Sequence, residues 1–218
     1  MEVISVCTAV LTFNRIHLLR RTLASMDAAP GFPFQRAVVD GGSSDEQQRT
    51  FVAAHQPYAY VYDQKVSVGR SMNTAIDMAV ATGANLIVFS ADDYEYRPNW
   101  LARLVRFWQA APKDIGIATL NWEPAYSWNT VEDDVVIGLE RTLIRATVPG
   151  SSWSFRADSW RSLFGPIEDR TGGEDMSVCT ALRAAGYRLA ALDLTDHIGE
   201  KESAWGNRSW ERAEPLRL

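Results

Sequence analysis

Through the first half of the chain, short unbroken apolar runs alternate with stretches whose apolar residues recur at helical spacing. Val3 to Leu11 predicts a first strand. After Thr12-Phe13-Asn14-Arg15, the spacing of Ile16, Leu19, Leu23 and Met26 predicts a helix with Asn14 as its N-cap, closed by Pro30, Gly31 and Pro33. Arg36 to Val39 predicts a second strand that runs into Asp40-Gly41-Gly42-Ser43-Ser44-Asp45, with a helix from about Glu46. Tyr60 to Tyr62 predicts a third strand, followed by a loop from Asp63 to Gly69. Met72, Ala75, Ile76, Ala79 and Val80 then form one helix face, and Gly83 stands where a C′ glycine ends a helix. Leu86 to Phe89 lacks polar alternation, as expected of a strand buried on both faces. Pro98 suits the N1 position of a further helix with a stripe of Trp100, Leu101, Leu104, Val105 and Trp108.

Strand and helix alternating in this way predict an α/β fold, a mostly parallel central sheet flanked by helices and joined by right-handed crossovers. The polar segments Thr12–Arg15, Asp40–Asp45, Asp63–Arg70 and Asp92–Glu95 all follow strands, so they fall on one sheet edge. In open parallel sheets that edge holds ligands. Past Ile115 to Leu120 the pattern loosens, and residues 121–150 read either as a flap on the acceptor side or as a surface excursion. Gly150 to Arg156 reads as a strand or turn. Gly172-Gly173-Glu174-Asp175 leads into a helix with Val178, Cys179, Leu182 and Ala185 on its apolar side, ended by Gly186. Arg188 to Leu192 predicts a last strand, with His197 and Glu200 after it. The expected organisation is one domain over residues 1–200, divided near residue 120, and a tail over 201–218.

Composition narrows the field. A chain of 218 residues with 46% hydrophobic residues can bury a sizeable core. No stretch approaches the ~20 apolar residues of a membrane span. The N-terminus lacks the basic start of a signal peptide, and Cys7 and Cys179 sit in apolar contexts, so two buried thiols in a reducing cytoplasm are expected. A net charge of -5 argues against a generic nucleic-acid binder. Of eight tryptophans, Trp122, Trp128, Trp153, Trp160, Trp205 and Trp210 follow residue 120, where aromatic faces would suit sugar rings as well as a core.

The chemistry concentrates at Asp92-Asp93, where an apolar run stops at two adjacent carboxylates. Adjacent carboxylates repel unless a cation stands between them, and a hard divalent ion that bridges to phosphates is one such cation. A solvated acidic turn is the alternative. Asp40 followed by glycines and hydroxyls makes a tight loop whose backbone can approach a ligand closely. Glu174 and Asp175 follow a flexible glycine pair at a helix start, where the helix dipole favours carboxylates in any case.

Together these segments resemble family 2-like nucleotide-sugar glycosyltransferases with the A-type, Rossmann-like fold. The resemblance rests on Thr12–Arg15, Val38–Asp45, Gly69–Ala75, Ala91-Asp92-Asp93, Gly172–Asp175 and His197, in that order, and it spans Val3 to about His197. It implies transfer of a hexosyl or pentosyl group from a nucleoside-diphosphate sugar to an acceptor hydroxyl, with inversion and a divalent metal, Mn²⁺ or Mg²⁺. Thr12, Asn14, Arg15 and Asp40 would hold the base and ribose, and Arg70, Asn73 and Asp92 would contact the donor. Asp93 would ligate the metal with help from Asp92 or His197. Asp175 would be the general base, with Glu174 orienting the acceptor or Asp175. Two positions depart from the family. Ala91 replaces the first acid of the usual Asp-x-Asp, and Gly41 stands where a second acid is frequent. The first departure implies a weakened metal site, a shift of ligation to Asp92, or an enzyme that needs no metal.

Other classes stay open. A nucleotidyltransferase would normally carry a glycine-rich basic loop after the first strand, which Thr12–Arg15 is not. A dinucleotide-dependent oxidoreductase would show G-x-G-x-x-G there. Ala91 also leaves room for a silent nucleotide- or sugar-binding scaffold. The acceptor is open among a glycan, a lipid-linked sugar, a small metabolite, a protein and a modified nucleic-acid base, and the oligomeric state is open too.

Overall fold

The structure is a computed structural model that describes residues 3–29, 32–122, 130–169 and 172–198. The predicted helix stops Pro30 and Gly31, Trp128 in the loosened stretch, Arg170 and Thr171 before the glycine pair, Glu200, and the 201–218 tail with Trp205 and Trp210 lie outside the described residues.

Among the described residues nine strands form one sheet in the order β3 (Ala59–Val61), β2 (Phe34–Asp40), β1 (Val6–Thr12), β4 (Leu86–Ala91), β9 (Ser152–Arg156), β6 (Ile115–Thr119), β10 (Arg188–Ala191), β8 (Glu140–Arg145), β7 (Val131–Ile137). From β3 to β4 the pairing is parallel, as the strand–helix alternation predicts. β9 then inserts antiparallel between β4 and β6, and β8 runs antiparallel to β10 and β7. The sheet is therefore mixed, with β8 and β9 running against the rest. It takes strands from both sides of residue 120. A second, two-stranded sheet pairs β5 (Tyr94–Tyr96) with β11 (Thr195–His197).

The unbroken apolar strands are buried on both faces because helices cover both. On one side Val10, Val38 and Val88 meet Leu19, Leu23 and Met26 of α1 (Ile16–Asp27) and Trp100, Leu104 and Trp108 of α4 (Trp100–Ala110). On the other, Ala9, Val39 and Ile87 meet Met72, Ala75, Ile76 and Ala79 of α3 (Val68–Ala81). Val178, Cys179 and Leu182 of α6 (Glu174–Ala184) join that layer, as do Trp160 and Phe164 from the turn after α5 (Ala157–Ser159). A fully buried leucine- or phenylalanine-sized side chain gives ~1.5–3 kcal/mol, so this double layer fixes the sheet on which the polar edge is mounted.

Several boundaries differ from the pattern-based ones. α2 (Glu46–Ala53) starts as expected, with Asp45 accepting the Gln47 N–H at 2.9 Å. α1 is not capped by Asn14: the N-cap residue is Arg15, and Asn14 adopts φ 53. Asparagine tolerates that left-handed turn, and its side chain instead accepts the Ser44 N–H at 2.9 Å, tying the loop after β1 to the loop after β2. α3 begins at Val68, capped by Ser67, so Gly69 and Arg70 belong to its first turn and not to the preceding loop. The N-cap of α4 is Asn99, which leaves Pro98 before the cap and not at N1. Residues 131–145 form the hairpin β7–β8, so this part of the loosened stretch is regular structure. Among the described residues no helix is long and apolar enough to cross a membrane.

Candidate active site

β2, β1 and β4 lie side by side, with Thr12 opposite Asp40 and Leu11 opposite Ala91, so the residues that end them share one edge. Thr12, Asp40, Asp92 and Asp93 are all buried there. Gln48, also fully buried, sits one turn before Val52 on the inner face of α2. Its amide donates to Thr12 Oγ1 at 3.0 Å, Ser43 Oγ at 2.7 Å and Asp40 Oδ2 at 3.3 Å, while its Oε1 accepts the Arg15 N–H at 2.7 Å. Asp40 Oδ1 accepts the N–H groups of Gly42 and Ser43 at 2.9 and 2.6 Å. The Asp40 carboxylate thus shapes its own loop. Gly42, at φ 94, allows a close approach, but what approaches it is the backbone of Gln64 and Lys65: a Cβ would lie 2.2 Å from the Gln64 carbonyl carbon.

Arg15 reaches from the N-cap of α1 across the pair of acids. One guanidinium nitrogen bonds Asp92 Oδ1 and the other meets Asp93 Oδ2 at 2.9 Å. Asp92 Oδ2 accepts the Thr12 hydroxyl at 2.5 Å, and the Asp92 carbonyl accepts the Thr22 hydroxyl of α1 at 2.8 Å. Asp92 points into the protein, with no exposed surface. Its carboxyl is raised to about 7: burial is the largest cause and the charge of Asp93 adds to it, while Arg15 and the Thr12 hydroxyl hold it down. Burial lowers the Arg15 pKa, but the two carboxylates outweigh it and the guanidinium stays charged. Removing one partner from a buried ion pair costs ~3–5 kcal/mol, so the trio anchors the edge as well as charging it.

Asp93, also buried, meets a second partner. β11 zips antiparallel to β5 with His197 opposite Tyr94, and the Ile198 N–H bonds the Asp93 carbonyl at 2.8 Å. This brings His197 Nε2 to 3.4 Å from Asp93 Oδ2, with the imidazole 5.3 Å from the Tyr94 ring centre. Among the described residues no three carboxylate, imidazole or thiol groups converge as a self-sufficient metal cluster. Asp93 and His197 offer one oxygen and one nitrogen donor, which fits a divalent ion that takes its remaining ligands from phosphates and water. Asp92 does not fit that role, because both its oxygens are already engaged by Thr12 and Arg15.

Asp175 packs against Gly150, in a segment that meets the end of β4. Gly150 packs against it so closely that a Cβ there would lie 2.8 Å from the Asp175 Cβ. Next in the chain, the Ser151 carbonyl accepts the Ala91 N–H at 2.7 Å, and Ser151 Oγ bonds the Tyr94 hydroxyl at 2.5 Å. One helical turn beyond Asp175, Cys179 Sγ contacts the Val148 N–H at 3.4 Å, pinning α6 to the 148–151 segment. Asp175 Oδ1 also accepts the Met176 N–H at 2.8 Å. Glu174, half-buried beside it, opens α6 after Gly173 at φ 75.

The structure therefore joins Thr12, Arg15, Asp40, Asp92, Asp93 and His197 in one network and brings Asp175 beside it. Asn14 lies on the exposed turn stitching the two loops. Arg70 is exposed, with its guanidinium 5.5 Å from the Tyr62 ring centre. Asn73 clamps the backbone of Ile167 through two bonds of 2.8 Å, holding the 165–169 segment to α3. Among the described residues neither Arg70 nor Asn73 is hydrogen-bonded to the network. Gln48, Gly150, Ser151 and Tyr94 were not singled out from the sequence. The available signal for Gln48 was a polar residue four positions before Val52 on a helix face that must be buried.

An α/β sheet carrying an acidic edge after its fourth strand, beside loops from the first two, is the GT-A architecture of glycosyltransferases. The chain belongs to glycosyl transferase family 2, whose model matches residues 7–186. No curated protein sequence matches the chain. Solved structures similar to it include GalNAc-T7 with UDP, GalNAc and Mn²⁺ (TM-score 0.70, 12% identity, 98% of this chain and 46% of that one). S. aureus TarS 1-349 in complex with UDP-GlcNAc is also similar (TM-score 0.65, 11% identity, 93% and 60%). So is the mannosyltransferase PcManGT from Pyrobaculum calidifontis with GDP-Man and Mn²⁺ (TM-score 0.60, 17% identity, 85% and 56%). At these identities the likeness is one of fold, and the chain spans about half the length of these structures.

Proposed function

We propose that the chain transfers a hexosyl or pentosyl group from a nucleoside-diphosphate sugar to an acceptor hydroxyl, with inversion. The observation that carries this reading is the convergence of Thr12, Arg15, Asp40, Asp92 and Asp93 on one sheet edge, with Asp175 next to them across Gly150 and Ser151. Residues up to about 120 bind the nucleotide, and residues 121–200 supply the acceptor side. The loops after β1 and β2, shaped by Asn14, Asp40 and Gln48, receive the base and ribose. Arg70, exposed at the start of α3, is free of the network and pairs with the donor phosphates.

Asp93 and His197 hold a divalent cation, Mn²⁺ or Mg²⁺, which when bound neutralises charge on the leaving diphosphate. Asp175 takes the proton of the acceptor hydroxyl as its oxygen bonds the anomeric carbon and the bond from that carbon to the diphosphate breaks. Glu174 orients the acceptor. The buried thiols of Cys7 and Cys179 support a reducing compartment such as the cytoplasm. The test is a panel of nucleotide sugars read by release of nucleoside diphosphate, with and without Mn²⁺. Release with one donor supports the reading, and binding without release across the panel and a range of acceptors supports a silent scaffold.

A further inference from the structure

The two acids that end β4 are treated differently by the fold. Asp92 is closed into the protein between Thr12 and Arg15, and Asp93 shares its Oδ2 between Arg15 and the His197 imidazole. The guanidinium that links them is itself almost fully buried. It is held at its base as well: the Arg15 N–H bonds Gln48, and the Arg15 carbonyl accepts the first α1 bond, from the Leu19 N–H at 3.0 Å. Arg15 is not a flexible surface cation that swings aside at little cost.

We infer that Arg15 serves as the built-in cation of the acidic edge, so that a divalent ion binds Asp93 and His197 well only together with a nucleoside diphosphate. This rests on the nucleotide-sugar reading above. Two carboxylates with one guanidinium between them keep at most about one net negative charge, which attracts a dication weakly when a fixed positive charge contacts the same Asp93 oxygen. A diphosphate reverses the balance. Its oxygens complete the ion's coordination, and its negative charge is favoured by both the ion and Arg15. Metal and nucleotide are then positively coupled, each tightening the other by the same factor, on the order of 5–150-fold.

The experiment is Mn²⁺ binding by electron paramagnetic resonance, with protein alone and with saturating UDP or GDP, against protein-free titrations that account for Mn²⁺–nucleotide complexes. The expected result is weak binding to the wild type alone and tight stoichiometric binding with one of the nucleotides, lost in His197→Ala. Arg15→Gln should tighten binding of Mn²⁺ alone, by about tenfold if the coupling is of the usual size, and shrink the effect of the nucleotide. Arg15→Lys, which keeps the charge, should not. If Arg15→Gln does not fold, Arg15→Gln/Asp92→Asn removes both charges of the buried pair and leaves Asp93 and His197. Equal Mn²⁺ affinity with and without nucleotide, or no change on removing the Arg15 charge, overturns the inference. Failure of both UDP and GDP to bind, with or without metal, counts instead against the nucleotide-sugar reading, and the metal-alone comparison of wild type and Arg15 variants still decides the role of Arg15.

Discussion

His197 Nε2 stands 3.4 Å from Asp93 Oδ2 because three-residue strands, β5 and β11, pair antiparallel immediately beyond the end of β4. In the proposed function, the carboxylate and imidazole that meet through this clip are half of a metal site whose other half comes from the ligand. His197→Ala should therefore weaken Mn²⁺-supported nucleotide binding by at least roughly tenfold, the scale on which supporting groups alter metal sites, while nucleotide binding in chelator stays unchanged. Calorimetry in Mn²⁺ and in chelator separates the two. An equal loss in both would make His197 a packing partner of Tyr94 and nothing more.

Gln48 offers a different test, since it contacts no predicted ligand group from the exposed side yet bonds Thr12, Asp40, Ser43 and Arg15 at once. Gln48→Leu keeps the volume and leaves buried polar partners unsatisfied, at ~1–3 kcal/mol. For a chain of this length that lowers Tm by roughly 2–4 °C per kcal/mol. Nucleotide affinity should fall with it, and thermal melting read beside calorimetry checks both.

Asp40 is harder to dissect than its position after β2 suggested. Because its carboxylate accepts the Gly42 and Ser43 N–H groups, Asp40→Ala should both lower Tm and weaken nucleotide binding. Asp40→Asn, which retains an acceptor oxygen, should hold the loop better. If Asp40→Asn melts like the wild type but binds nucleotide poorly, the carboxylate serves the ligand as well as the loop.

What the sequence disclosed, and what it concealed, follows from range. Thr12, Asp40 and Asp92 were legible because each sits where an apolar run stops, and parallel strands line up their ends. The Asp93–His197 contact was not, because strands as short as β5 and β11 carry no periodicity. The β7–β8 hairpin hid behind Glu132-Asp133-Asp134, which reads as solvated loop. In the fold Glu132 and Asp134 are met by Arg183 and Arg141, and the turn uses Gly138 and Leu139 at φ 57 and 72 in place of an Asn-Gly signal. The reversal at β9 was equally silent, since Ser152–Arg156 is buried on both faces in either direction. Gln48 was hard to find because the three residues before it and the one after it, Asp45, Glu46, Gln47 and Arg49, are also polar, so only its spacing from Val52 marked it as the one that turns inward.

The pH dependence of stability carries the signature of Asp92. Its carboxyl is raised by burial from 3.8 to about 7, so between those values the folded chain binds more protons than the unfolded one. Stability from this group is complete below about pH 4 and is lost as pH rises through about 7. Asp92→Asn should flatten that part of the profile in denaturant titrations run from pH 4 to 8. An unaltered slope would mean that Arg15 holds Asp92 ionised throughout.

Asp175 is the last and most exacting test. As general base it must lie where an acceptor hydroxyl meets the donor, and Gly150, Ser151 and Cys179 together hold it beside the end of β4. As a helix-start carboxylate it needs only its bond to the Met176 N–H and the favourable dipole, worth ~0.3–1 kcal/mol. Asp175→Asn keeps size and hydrogen bonding, so a base predicts a ~10²–10⁴-fold fall in kcat with nucleotide affinity and Tm nearly unchanged. A cap predicts the reverse, a lower Tm with near-normal turnover beneath it. Gly150→Ala supplies an independent arm. Its Cβ would meet the Asp175 Cβ at 2.8 Å, so either the start of α6 or the 148–151 segment must shift. If Asp175 acts on the acceptor, Gly150→Ala lowers kcat at unchanged nucleotide affinity. Retention of anomeric configuration in the product would exclude the single displacement that this base serves.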